Sequence, residues 1–177
     1  MLPYSVLSRG YDELYGEEQA AKYRVALSVT RGVHSSVLDL GCGTGLLSRW
    51  LRCCFLVGLD PCIEFLRVAR ERGYEVVGGV GAYLPFRSEC FEAVYCFTVV
   101  HQDLSMVAEA CRVSRNIVVV SVLRKVAWLT KAVMDALLKW GRVVVLDEEG
   151  VKDVVVVATR GSREEAARCW GNRSSGR

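Results

Sequence analysis

The residues best suited to chemistry in this sequence are three glycines and two aspartates. Gly41, Gly43 and Gly45 stand at alternate positions of Val37-Leu-Asp-Leu-Gly-Cys-Gly-Thr-Gly45, between two apolar runs. Such a stretch reads as a strand turning into a helix. Glycine there permits positive φ and close approach of the backbone to a ligand, and the helix start offers unpaired N–H groups. A dinucleotide's pyrophosphate calls for G-x-G-x-x-G, and counting from Gly41 the third glycine would fall on Leu46. The G-x-G-x-G spacing, with Asp39 ahead of it and Cys42 and Thr44 between the glycines, suits a ligand that presents an amino acid and a ribose. Asp60 ends the apolar run Phe55–Leu59, 19 residues after Gly41. A carboxylate at that place can accept hydrogen bonds from both ribose hydroxyls. Pro61 behind it suits the first turn of a helix.

Two more segments complete the pattern: Gly81-Ala-Tyr-Leu-Pro-Phe-Arg-Ser-Glu-Cys-Phe-Glu-Ala-Val-Tyr95, and Cys96-Phe-Thr-Val-Val-His101 leading to Glu109-Ala-Cys-Arg112-Val113. In order and spacing the four segments resemble the class I S-adenosylmethionine (SAM)-dependent methyltransferases, from about Tyr11 to Arg160. The resemblance implies SAM as cofactor, held by Asp39, Gly41, Cys42, Gly43, Thr44, Gly45, Asp60 and Pro61. It places Ala82 and Tyr83 beside the adenine, although Gly81 stands where the family commonly has an Asp, and Glu92 replaces a second Asp conservatively. Phe97 and Thr98 would lie beside the methionine portion and the methyl acceptor. Tyr11 and Tyr15 resemble a segment that closes over the cofactor, and at i, i+4 they equally suit a packing stripe. His101 could act as general base; it could equally cap a helix or shape the pocket, because transfer from a sulfonium needs proton removal only when the acceptor is protonated.

Positioning such residues takes a regular scaffold. Short Val/Ile/Leu-rich runs alternate with longer amphipathic segments, the signature of a mostly parallel sheet covered on both faces. Strands are expected at Val37–Leu40, Phe55–Leu59, Glu75–Val77, Ala93–Phe97, Ile117–Leu123, Arg142–Leu146 and Asp153–Thr159. Helices are expected at Glu18–Thr30, Leu46–Arg52, Ile63–Arg72, Leu104–Val113 and Val126–Trp140, the last facing the core with Trp128 and Trp140; Gly32, Gly73 and Gly141 are the expected stops. The short turn around Gly150 makes the last two strands an antiparallel hairpin. The fold class is therefore α/β: a Rossmann-like, doubly wound, seven-stranded sheet in a single domain. Residues 1–32 form an N-terminal helical segment, 33–160 the SAM-binding core and 161–177 a basic tail.

Composition narrows the setting. No apolar run approaches the ~20 residues of a membrane span and no signal-peptide layout is present, so a cytoplasmic protein is expected. The eight cysteines include no C-x-x-C pair, which argues against a zinc ribbon and for small core residues; no metal is expected. A net charge of +3 neither requires nor excludes RNA. The absence of an Asn/Asp-Pro-Pro-Tyr motif after the fourth strand argues against methylation of adenine N6 or glutamine amides. With no long insertion to cover the site, a macromolecular O or N acceptor such as tRNA or a translation-related protein is expected, and Thr98-Val-Val-His101 resembles its counterpart in tRNA wobble-uridine methyltransferases. A small-metabolite acceptor, or a non-catalytic SAM-fold subunit, is the alternative. The apolar strand at 75–80 would lie at a sheet edge, where relatives acting in translation receive a small zinc-ribbon activator.

Overall fold

The computed structural model describes residues 10–31, 33–100 and 104–160. Helix α1 (Tyr11–Thr30) leads into strand β1 (Val33–Leu40), a single 3₁₀ turn (Leu46–Arg49) and β2 (Arg52–Asp60). Then follow α2 (Ile63–Glu71), β3 (Glu75–Gly78), β4 (Phe91–Phe97), α3 (Ser105–Val113) and β5 (Ser114–Leu123). The chain continues through α4 (Ala127–Leu138), β6 (Arg142–Leu146) and β7 (Asp153–Thr159). The strands form one sheet in the order β3-β2-β1-β4-β5-β7-β6. All pairs are parallel except those of β7, which runs antiparallel to β5 and to β6.

Successive residues of a strand face opposite sides of a sheet, and that alternation divides the core. Leu38, Leu40, Val94 and Cys96 pack with Val107 and Ala110 of α3 and with Leu129, Val133 and Leu137 of α4. Val37, Ala93, Tyr95 and Val157 face the other way, onto Tyr23 and Ala26 of α1 and Leu46 and Leu47 of the 3₁₀ turn. A smaller cluster joins Leu66 and Ala69 of α2 to Cys42 and Tyr74.

Several boundaries differ from expectation. The helix expected at Leu46–Arg52 is one 3₁₀ turn, because β1 starts at Val33 and pairs with Arg52, drawing residues 52–54 into the ladder of β2. Helix α1 begins at Tyr11, seven residues before the expected Glu18. The helix runs through Gly16, where a Cβ would meet nothing within 4 Å. Arg31 takes the left-handed cap conformation (φ 62°) at the end of α1, while Gly32 lies outside the described residues. Gly73 ends α2 as expected (φ 89°). Gly141 serves a different need: a Cβ there would stand 2.5 Å from the Thr159 carbonyl oxygen. Helix α4 faces the core through Leu129, Val133 and Leu137, yet Trp128 points outward. Of the seven described cysteines, all free, only Cys42 and Cys96 are buried, so the expectation of core cysteines holds for two. Cys169 lies outside the described residues. Among the described residues no His/Cys/Asp/Glu group could hold a metal ion, and no helix is long and apolar enough to cross a membrane.

Candidate cofactor-binding site

β1 and β2 run in register to their C-terminal ends, Asp39 opposite Gly58 and Leu40 opposite Leu59. The chain then turns sharply, and the amides of Gly41 and Cys42 both donate to the Leu59 carbonyl, at 2.7 and 3.1 Å. Gly41, Gly43 and Gly45 all have positive φ (76°, 53° and 77°), a conformation that L side chains resist. Space adds a second requirement at two of them. A Cβ on Gly41 would come within 2.4 Å of Val99 Cγ1, and one on Gly45 within 2.8 Å of the Tyr74 ring. Around Gly43 nothing lies within 4 Å, so this middle glycine faces open space.

The two acids meet this turn from adjacent strand ends. Asp60 accepts the Gly43 amide at 3.0 Å on one carboxylate oxygen and the Cys62 amide at 2.8 Å on the other. Each oxygen keeps a further lone pair for a ligand hydroxyl. Asp39 is buried and accepts the Tyr74 hydroxyl at 2.7 Å. Burial pushes the Asp39 carboxyl up to about 7; the Tyr74 bond opposes that rise and the negative charge of Asp60 adds to it. Burial also raises Asp60, against the pull of the Cys62 and Gly43 amides. Two mutually repelling carboxyls at a strand-end turn disfavour a pyrophosphate and favour a ligand with ribose hydroxyls and positive charge. The open space over Gly43 and the free lone pairs of Asp60 fit an adenosyl amino acid.

Other residues expected at the site divide into those near the turn and those turned elsewhere. Thr44 is buried; its hydroxyl donates to Asp12 at 2.6 Å and accepts from Arg72 at 3.1 Å, and Asp12 and Arg72 form an ion pair. That triad lays the first turn of α1, where Tyr11 and the half-exposed Tyr15 reside, beside the glycine loop. Cys42 packs inward against α2, and Pro61 is exposed between Asp60 and α2. Ala82 is half-buried and Tyr83 is 83% exposed. The segment behind them is tied to α3, with Arg112 donating to the carbonyls of Leu84 and Phe86 and Glu109 accepting the Leu84 amide. Gly81 is packed so closely on Met106 that a Cβ would stand 2.4 Å from its methyl carbon, and the side chain of Met106 fills the space that an acid at 81 would need. Phe97 turns into the core, edge-on to Tyr23 at 4.8 Å. Thr98 has φ 57° and spends its hydroxyl on Lys22 and Asp153. His101 lies outside the described residues. Tyr74, Asp12, Arg72, Lys22 and Asp153 went unnoticed as site residues in the sequence; Asp12 stands within the Tyr11–Tyr15 segment, where only the tyrosines drew attention, and the others stand in no motif. Tyr74 alone left a trace, as an aromatic directly after the helix stop Gly73.

Residues 38–121 match the family described as "Methyltransferase domain". The human protein named "Probable tRNA methyltransferase 9B" is 37% identical over 67 residues, 38% of this chain and 15% of its own. The malonyl-acyl-carrier-protein O-methyltransferase of Herminiimonas arsenicoxydans is 34% identical over 98 residues, covering 53% of this chain and 38% of its own. The chain thus spans under four-tenths of the length of either relative. Among solved structures, the methyltransferase chain in complex with the Haloferax volcanii Trm112 methyltransferase activator superposes with a TM-score of 0.69 at 15% identity, over 90% of this chain and 98% of that one. Magnesium protoporphyrin IX methyltransferase from Synechocystis, with bound SAH, gives 0.61 at 16% identity, over 82% and 84%. At these identities the likeness to solved structures is one of fold. The matched segment runs from β1 to β5, holds the glycine turn and both acids and makes up just under half of the chain; over it the chain is similar to the methyltransferase-domain family, and the sheet as a whole has the Rossmann-like methyltransferase fold of the solved structures.

Proposed function

We propose that the protein is a SAM-dependent methyltransferase whose cofactor lies over Gly43, between the ends of β1 and β2. The observation that carries this reading is Asp60, pinned by the Gly43 and Cys62 amides with lone pairs to spare at the open face of the turn. Asp60 would accept from the ribose hydroxyls, the loop Gly41–Gly45 would pass under the amino-acid portion, and Ala82 and Tyr83 would border the adenine. SAM supplies a methyl carbon already activated by a positive sulfur. The chain's own contribution would be to fix the donor, exclude water and align an O or N acceptor, and such alignment lowers a barrier without a catalytic dyad. His101, which follows the segment that the family resemblance sets beside the acceptor, would take a proton where the acceptor carries one.

The acceptor class favoured is tRNA or a translation-related protein, in keeping with the tRNA methyltransferase relative and with the short links between strands. A small zinc-ribbon activator would add to β3, the edge strand, where Val76 and Val77 are only half-buried and Val80 is 53% exposed; the Haloferax chain solved with its activator supports the pairing. A cytoplasmic location goes with such acceptors. The longer match to an acyl-carrier-protein O-methyltransferase favours a second reading, with a carboxylate as acceptor. Tritiated SAM incubated with tRNA, protein and acyl-carrier pools separates the readings, and label in none of them marks a non-catalytic subunit. Charge-assisted hydrogen bonds contribute about 1.5–3 kcal/mol each, so Asp60→Ala is expected to weaken SAM binding at least ~10-fold by calorimetry. Unchanged affinity would remove Asp60 from the site.

A further inference from the structure

A second charged group is buried where α1 crosses the ends of β4, β5 and β7. Lys22, on the inward face of α1, has a fully buried side chain and lies 3.1 Å from Asp153, itself fully buried at the start of β7. Its ammonium also donates to Glu18 at 3.0 Å and to the Thr98 hydroxyl at 2.8 Å. Thr98 donates in turn to Asp153 at 2.8 Å, and Asp153 accepts Ser121 at the same distance. The Thr98 amide is held by the Ser121 hydroxyl at 2.9 Å.

Two features argue that this network does more than fill the interior. A buried ion pair gives little stability over apolar side chains of the same size, so stability alone is a weak reason for it. Thr98, a β-branched residue, is also forced to φ 57°, an outlier that persists only where its surroundings over-determine it. The next residue is Val99, whose Cγ1 packs directly on the backbone of Gly41.

We propose that Lys22 and Asp153 are positioning residues for the glycine loop: their ion pair holds Thr98 in the left-handed conformation, and Thr98 seats Val99 against Gly41. The functional importance of the loop rests on the cofactor reading above; the mechanical link does not. α1, which also meets the loop through Asp12 and Thr44, and β7, three strands away from β1 in the sheet, thereby set the geometry of the turn between β1 and β2.

The pair Lys22→Met with Asp153→Val tests the link, since it removes both charges and strands neither. In the ligand-free protein, hydrogen exchange at the Gly41 and Cys42 amides is expected to rise about ten-fold, with the amides of α4 unchanged. SAH affinity by calorimetry is expected to fall about two- to thirty-fold, the reach of couplings carried through packed neighbours. Lys152→Met, which cuts only the exposed pair with Glu18, is expected to leave both unchanged. If the double variant does not fold, Thr98→Gly carries the same test, because glycine accepts the positive φ and deletes only the anchor. Unchanged exchange at Gly41 and Cys42 in a folded variant overturns the inference. A parent protein that ignores SAH overturns the cofactor reading instead, and exchange still decides this one.

Discussion

Asp39 carries the largest electrostatic consequence of any single residue at the site. Folded, its carboxyl keeps its proton up to about pH 7, because burial disfavours the charge and Asp60 repels it; the ordinary value for an exposed aspartate is 3.8. Between those values the folded chain binds more protons than the unfolded one, so stability is fully present below the lower value and is lost as pH rises through the upper. Asp60 is shifted the same way, again chiefly by burial. Asp12 runs opposite, its burial outweighed by hydrogen bonds from Arg72 and Thr44, and its contribution is lost only in acid. His34 works against this loss, since burial lowers its imidazole and its share of stability grows as pH rises towards 6.5. The Asp39 share is therefore isolated by comparison with Asp39→Asn: the difference in thermal midpoint between parent and variant is expected to shift against the parent as pH rises from about 4 to 7. A difference that stays constant over that range would contradict the burial of this charge. Asp39 and Asp60 were legible in the sequence because glycines flag the turn they border. Their partner Tyr74 was not, since an aromatic after a helix stop looks like any core residue and only the fold brings it beneath Gly45.

At the scale of elements, the same tyrosine explains why β2 carries a glycine two residues before its end. A Cβ on Gly58 would stand 2.7 Å from both the Tyr74 ring and Cys42 Sγ, so the strand makes room for the ring that bonds Asp39. Gly58→Ala is expected to destabilise by about 1–3 kcal/mol, as overpacking does, read as a lower urea midpoint at unchanged slope. The strands were legible wherever valines run together, and the family resemblance set the strand at 75–80 at a sheet edge, where β3 lies. Boundaries were not legible where polar residues join the ladder: His34-Ser-Ser extends β1, and Arg52-Cys-Cys opens β2 in place of the expected helix. Helix α1 was truncated in the sequence reading for a related reason. Its inward face includes Gln19, Lys22 and Thr30, a polar set that hides the helical period.

For the molecule as a whole, the sheet ends in two unlike edges, β3 with its half-buried valines and β6 beside the hairpin turn. If a zinc-ribbon activator adds to β3, Val80→Lys is expected to abolish co-elution with it on gel filtration while leaving the thermal midpoint within about 2 °C, the usual range for an exposed substitution. Persistent co-elution would move the contact elsewhere. The connections between α1 and β7 reach furthest of all: Glu18 and Lys152 pair across 134 residues, with Lys22 and Asp153 alongside. Contacts so distant along the chain close last, after the loop entropy between them has been overcome. On a ribosome, where the polypeptide emerges from its first residue onward, the glycine corner is synthesised early but must wait for the seventh strand before its outer support arrives. Maturation of the glycine corner would thus be timed by the synthesis of β7, and a product truncated ahead of that strand would carry the motif without the rigidity.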